Sequence, residues 1–255
     1  MKQRIWALIL GSTGGTAEGF IDGLIKQGCH VVGIARNMDK LASLQGNSKG
    51  NFTGIACDVK DEISLKKACE HACDLMKGWQ LMVVVNNLGG AIKLGNIVNL
   101  EKVNEAIIIN YIGPKVFYES IKSKIATGGH YICMLSGAAY GTSGNPNFKE
   151  YSMYKKKLMS FMLKEIGTTH FRICLVYPIY IGGTDFMPKV GGEDPAKNSK
   201  WNGERTARYV LKKALSEDEE IILPGFLAKL LWKINKKSPK LVQQFLNTAK
   251  VKRKK

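Results

Sequence analysis

Six short apolar runs punctuate the first two-thirds of the chain: residues 5–10, 30–35, 52–57, 81–85, 131–135 and 171–177. Each is strand-sized and rich in β-branched residues, and most are continuous rather than alternating. Continuous apolar strands are those covered on both faces, as in a parallel sheet between two helix layers. Stretches long enough for crossover helices separate them, notably residues 15–26, 63–76, 101–125 and 150–167. Residues 220–223, ahead of Pro224-Gly225, add a last candidate strand. This alternation predicts right-handed βαβ units and an α/β fold, a Rossmann-like doubly wound parallel sheet of about seven strands. Residues 185–203 are rich in Gly, Pro, Lys and Asn without periodicity and read as a long loop, expected to act as a lid.

Composition adds little until the charge is located. The chain has 255 residues, 45% apolar and 23% charged, which excludes a disordered chain, a collagen-like fibre and a multi-spanning membrane protein. Thirty-eight basic side chains against 21 acidic ones give a net charge of +17. Residues 226–255 hold ten of the cations and no acid, leaving +7 on the body. The expected division is a catalytic domain over residues 1–225 and a basic amphipathic tail over 226–255. In the tail, Phe226, Leu227, Leu230, Leu231 and Ile234 recur at helical spacing among Lys229, Lys233, Lys236 and Lys237. Ser238-Pro239 opens a second helix striped by Leu241, Val242, Phe245 and Leu246. Two lysine-rich helices with Trp232 near the apolar border suit an anionic membrane surface. Packing of the same stripes on the body or on a partner subunit is the equal alternative. Nucleic acid is disfavoured, because aromatic stacking residues are sparse there.

The six cysteines (29, 57, 69, 73, 133 and 174) form no Cys-x-x-Cys, and four lie in or beside apolar runs. They read as buried thiols of a reducing compartment. Cys69, His71 and Cys73 have metal-binding atoms, but helix positions two apart diverge by about 200°, so they do not close on one ion. Lys2 and Arg4 precede an apolar stretch shorter than the ~7–15 residues of a signal-peptide core. No run reaches the ~18 apolar residues of a membrane span. The expected location is cytoplasmic, with peripheral membrane contact through the tail left open.

Chemistry begins where the first strand runs into Gly11-Ser12-Thr13-Gly14-Gly15-Thr16-Ala17. Glycines at a strand-to-helix turn let the backbone approach a pyrophosphate, while the helix N-terminus supplies amide donors. The spacing is similar to the Gly-x-x-x-Gly-x-Gly turn of the short-chain dehydrogenase/reductase family, with Ala17 in the third glycine's place. It also fits the Gly-x-x-Gly-x-x-Gly turn of the family's longer branch, and the turn alone does not choose. The rest of the chain resembles the compact, single-domain branch almost to its end. Asp58-Val59 follows the third strand, where the family's Asp contacts adenine. Asn86-Asn87-Leu88-Gly89 resembles the Asn-Asn-Ala-Gly motif, with Leu88 for alanine. Asn110 sits in a helical pattern, Ser136 follows the fifth strand, and Tyr151-Ser152-Met153-Tyr154-Lys155 supplies Tyr-x-x-x-Lys. Pro178 follows the sixth strand, and Thr184 lies where the family's threonine meets the cofactor.

The resemblance implies a catalytic set of Asn110, Ser136, Tyr151 and Lys155. It implies a dinucleotide held by Gly11, Ser12, Thr13, Gly15, Thr16, Ala17, Arg36, Asp58, Val59, Asn87, Gly89, Tyr151, Lys155, Pro178 and Thr184. Tyrosine has an ordinary pKa near 10 and is a poor base at neutral pH. A lysine one helical turn along is expected to favour the phenolate. Tyr151 would then exchange a proton with a carbonyl or alcohol oxygen, Ser136 would polarise that oxygen, and Asn110 would anchor the proton relay. Lys155 would also bind the nicotinamide ribose. After the second strand the chain reads Ala35-Arg36, with no acid to hold ribose hydroxyls, so NADP(H) is favoured over NAD(H). Three departures surround the substrate entrance. The Ser136–Tyr151 separation is about two positions longer than in the family, Ile179 replaces a glycine, and Thr184 falls one place late. The expected activity is ketone reduction or alcohol oxidation, with a large apolar or lipid-like substrate, in a homodimer or homotetramer. The competing expectation is a catalytically idle dinucleotide-binding scaffold.

Overall fold

The computed structural model describes residues 5–92, 99–140, 148–179, 181–184, 201–217 and 219–248, excepting the side chains of 243 and 245–248. Parts of five expectations lie outside what is described: Lys2 and Arg4 ahead of the first strand, 141–147 of the longer loop after Ser136, 185–200 of the expected lid, the side chains of Phe245 and Leu246 in the second tail stripe, and the cations from Lys250 onward.

Seven parallel strands form one sheet in the order β3-β2-β1-β4-β5-β6-β7. They are β1 (Ile5–Leu10), β2 (Cys29–Ala35), β3 (Phe52–Ala56), β4 (Gln80–Asn86), β5 (Ile125–Met134), β6 (Arg172–Val176) and β7 (Ile221–Ile222). Side chains alternate between the two faces, as a strand's period of two requires. Leu8 and Leu10 enter one core and Ala7 and Ile9 the other. The first core is closed by α3 (Glu62–Leu75), α5 (Gly113–Ile121) and α6 (Lys149–Glu165), and the second by α1 (Ala17–Lys26), α2 (Met38–Asn47) and α7 (Gly203–Leu211). The sheet is the doubly wound, Rossmann-like architecture expected. Its chain order reverses between β1 and β4, and in such sheets ligands bind outside the carboxyl ends of the strands at that switch.

Three details differ from the expected elements. The helix foreseen over 101–125 is two helices, α4 (Leu100–Ile107) and α5, joined by a π-helical turn at Ile108–Ile112. Strand β5 already begins at Ile125, its early part hidden by Gly128-Gly129. Two helices were not foreseen. Helix α2 buries only Leu41, and its sequence signal is the Asn37 cap, whose side chain accepts from the Lys40 amide at 2.9 Å. Helix α7 is capped in the same way by Asn202 and buries Thr206, Ala207, Val210 and Leu211.

The tail forms α8 (Phe226–Lys237) and α9 (Pro239–Thr248). One side of it joins the main core through Leu231 and Val242. Trp232 lies against the stacked rings of Tyr140 and Tyr177.

Candidate active site

The switch between β1 and β4 is bounded by two turns, one after each strand. Gly11 leaves β1 at φ +77°, a conformation that favours glycine, and a Cβ there would stand 3.1 Å from the Asn87 carbonyl. Asn87 ties the turn together. Its Nδ2 donates to the Gly11 carbonyl at 3.1 Å, and its Oδ1 accepts from the Thr16 hydroxyl at 2.6 Å. Thr16 stands at the N-cap of α1 yet spends its hydroxyl on Asn87, so α1 has no side-chain cap. Helices α2, α3, α4 and α7 are capped by Asn37, Asp61, Asn99 and Asn202. An uncapped helix start behind a tight glycine turn is a receptor for a phosphate group. Ser12, buried beneath it, keeps a hydroxyl with no hydrogen-bond partner among the described residues. These features fit a dinucleotide pyrophosphate.

The far wall of this turn comes from distant sequence. A Cβ at Gly15 would lie 2.6 Å from Thr184 Cγ2. One at Gly203, the first residue of α7, would lie 1.8 Å from the Gly15 carbonyl oxygen. Thr184 therefore reaches the glycine turn despite its late position, and Ala17 is buried at the start of α1. Arg36 follows β2 and is exposed. Beside the turn stands a cation that the sequence reading missed: Lys40 Nζ donates to the Thr13 carbonyl at 3.1 Å and lies 3.6 Å from Glu18. Recognising α2 and its Asn37 cap would have exposed it, since the cap places Lys40 in the first helical turn facing back. After β3, Asp58 accepts from the Lys60 amide at 3.0 Å, and Val59 packs near Leu88 and Gly113.

The expected catalytic side chains converge at the ends of β4 and β5. Ser136 is buried, its Oγ accepting from the Ala138 amide at 3.1 Å, and it also hydrogen-bonds the Tyr151 hydroxyl. The Tyr151 ring lies among Ala91, Ala138 and Phe148. Burial pushes its phenol up to about 12, against the lowering effect of Ser136. One turn along α6, Lys155 is also buried, with Nζ donating to Leu88 O at 3.0 Å and Met134 O at 2.9 Å. Burial brings its ammonium down to about 8. The carbonyls of Leu88 and Met134 hold the lysine, and the Ser136 hydroxyl opposes the rise at Tyr151.

Asn110 sits in the π-helical turn, where the widened backbone leaves the Ala106 carbonyl to its side chain at 2.9 Å. Its other contacts form a reciprocal pair with Gly90, Nδ2 to O at 2.9 Å and N to Oδ1 at 3.0 Å. Asn110 and Lys155 thus fasten the same loop, and Gly89 lies between them. Pro178 is buried and its carbonyl accepts from the Gly137 amide at 2.9 Å. Ile179, a departure from the family pattern, covers Gly137 so closely that a Cβ there would be 1.9 Å from its Cδ1. The absent side chain at 137 is what admits the larger one at 179.

Of the six cysteines, all are free thiols, and five are buried. Among the described residues no group of His, Cys, Asp or Glu could hold a metal ion. Among them also, no helix is long and apolar enough to cross a membrane.

Comparison with known proteins adds the family. The family model described as short chain dehydrogenase matches residues 5–194. A probable NADP-dependent dehydrogenase of Haemophilus influenzae is 29% identical over 187 residues, 71% of this chain and 73% of that protein. Among solved structures, a short chain dehydrogenase of Burkholderia cenocepacia in complex with NADP superposes with a TM-score of 0.74 at 18% identity, over 97% of this chain and 99% of that one. A short chain dehydrogenase/reductase of Burkholderia phymatum in complex with NAD gives 0.79 at 13% identity, over 94% and 96%.

Proposed function

Because this chain belongs to the short-chain dehydrogenase/reductase family of oxidoreductases, we propose that it reduces a ketone to a secondary alcohol with NADPH. The observation that carries this reading is the placement of Ser136 against Tyr151, and of Lys155 one turn along α6, at the carboxyl ends of β4 and β5. When bound, the nicotinamide supplies the hydride. Tyr151, protonated throughout the neutral range, donates its proton to the carbonyl oxygen. Ser136 holds that oxygen and steadies the phenolate left behind. Lys155 balances the charge from its carbonyl seat, and Asn110 fixes the loop against which Lys155 is held. The apolar surround of Tyr151 and the bulk of Ile179 favour an apolar ketone. NADPH consumption across a panel of apolar ketones tests the reading. NADPH binding without turnover on any of them would replace it with that of a cofactor-binding scaffold.

The preference for NADPH rests on two cations of this chain, since relatives of the fold carry either cofactor. Arg36 and Lys40 stand at the end of β2 and the start of α2, where an adenosine ribose approaches the glycine turn. A charge-assisted hydrogen bond contributes about 1.5–3 kcal/mol, or about 10–100-fold in affinity. The double substitution Arg36→Glu/Lys40→Glu is expected to lower kcat/KM for NADPH by about 100-fold and to leave NADH equal or better. An unchanged NADPH/NADH ratio would reject the assignment.

A further inference from the structure

The tail raises a question that hydride transfer does not use. Helix α8 is apolar over a wide arc, and only part of that arc meets the protein. Ala228 and Leu231 are buried, and Trp232 closes on Tyr140 and Tyr177. Phe226 is 81% exposed, Leu230 40% and Leu227 36%. At 100° per residue, Phe226, Leu230, Lys233 and Lys237 fall within about 60° of one another, opposite Ala228 and Leu231. The outer face thus carries apolar side chains toward its N-terminal end and cations toward its C-terminal end, with Lys229 and Lys236 alongside. Lys236 lies 5.2 Å from the Trp232 ring centroid, its charged end at the border of the apolar arc.

We propose that this outer face of α8 docks on an anionic lipid surface, Phe226, Leu227 and Leu230 entering the headgroup boundary and the lysines meeting lipid phosphates. Two observations favour lipid over other occupants. Residues 226–255 contain ten cations and no acid, so a second copy of the chain would set like charge against like across a two-fold contact. An aliphatic and aromatic insertion beside a cation cluster is the pairing by which helices lie in a membrane interface. The position also relates to the site. Gly225, ahead of Phe226, touches the Trp201 indole, with a Cβ there 3.3 Å from its Nε1. The Trp201 carbonyl accepts from the Gly182 amide at 2.8 Å, two residues before Thr184. Docked in this way, α8 places the bilayer beside the segment that bounds the cofactor turn, within reach of an apolar substrate dissolved in it.

Co-sedimentation of the full chain with phosphatidylcholine vesicles, with and without phosphatidylserine, tests this. Binding is expected to be at least about tenfold stronger with phosphatidylserine and to weaken in high salt. The exposed pair Phe226→Ser/Leu230→Ser should lower it about tenfold, with melting temperature and turnover of a water-soluble ketone unchanged. Equal binding to both vesicles, or undiminished binding by the double variant, would overturn the proposal. So would a concentration-dependent dimer in sedimentation velocity that the same variant abolishes, since the face would then belong to a second copy. Vesicle binding requires no turnover, so its failure is distinct from failure of the reductase reading.

Discussion

Tyr151→Phe is expected to lower kcat for ketone reduction by about 10²–10⁴-fold, the range a positioned proton donor contributes. The substitution removes one oxygen from a ring held by Ala91, Ala138 and Phe148, so the apolar packing survives. NADPH affinity should remain within about threefold, since the lost group is a hydroxyl facing Ser136 rather than part of the glycine turn. Stability should change little, because the substitution removes one hydroxyl and keeps the buried ring in place. Full activity in Tyr151→Phe would remove the proton-transfer assignment altogether.

The pH dependence follows from two opposed shifts. Tyr151 is pushed up to about 12, so its proton is present for donation throughout the neutral range. Lys155 is brought down to about 8 and therefore loses its positive charge as pH rises through that value. Reduction is expected to hold level below pH 8 and to fall above it, as the charge that balances the developing phenolate disappears. Lys155→Met should be slow at every pH and lack the fall. The same shift enters folding. An unfolded lysine keeps its proton up to about 10.4. Between about 8 and that value the unfolded chain binds more protons than the folded one. Lys155 therefore opposes folding most at neutral pH, and its opposition fades as pH rises through that window.

The legible part of the fold was what short-range pattern encodes. Continuous apolar runs declared buried parallel strands, because a two-faced burial needs no alternation. Helix α2 was missed for the opposite reason. It buries one leucine, so its evidence lay in a cap rather than a stripe, and Lys40 was lost with it. At the site, the register of Tyr151 and Lys155 was legible, since Tyr-x-x-x-Lys spans one helical turn of α6. Their electrostatics were not legible. The carbonyls that hold Lys155 belong to Leu88 and Met134, which no spacing within α6 reveals. Likewise, nothing local announces that Gly203 will press on Gly15, or that Gly137 makes room for Ile179. Pairings across the sheet set these distances, and a single sequence records them only as an unexplained glycine.

Gly89 offers the sharpest test of that long-range construction. Its φ of +147° is one that side-chain-bearing residues rarely adopt, and a Cβ there would stand 2.5 Å from Lys155 Nζ and 2.8 Å from Cε. Asn110 Oδ1 would be 3.1 Å away. Gly89→Ala therefore meets two costs together. The backbone strain alone is about 1–3 kcal/mol, read as a lower melting temperature. The new methyl also drives the ammonium off its two carbonyls, and kcat/KM should fall by about 100-fold through lost orientation. A double-mutant cycle separates the two. In a Lys155→Met background the lysine has already lost its charge and its donors. There Gly89→Ala should still lower the melting temperature but reduce kcat/KM by no more than about threefold further. Additive losses of activity would mean that Gly89 serves the site by another route, through the Asn110–Gly90 pair. Gly90, where an added Cβ would meet nothing nearer than 3.9 Å among the described residues, is the control. Gly90→Ala should retain most activity, because its hydrogen bonds to Asn110 are made by backbone atoms that the substitution leaves in place.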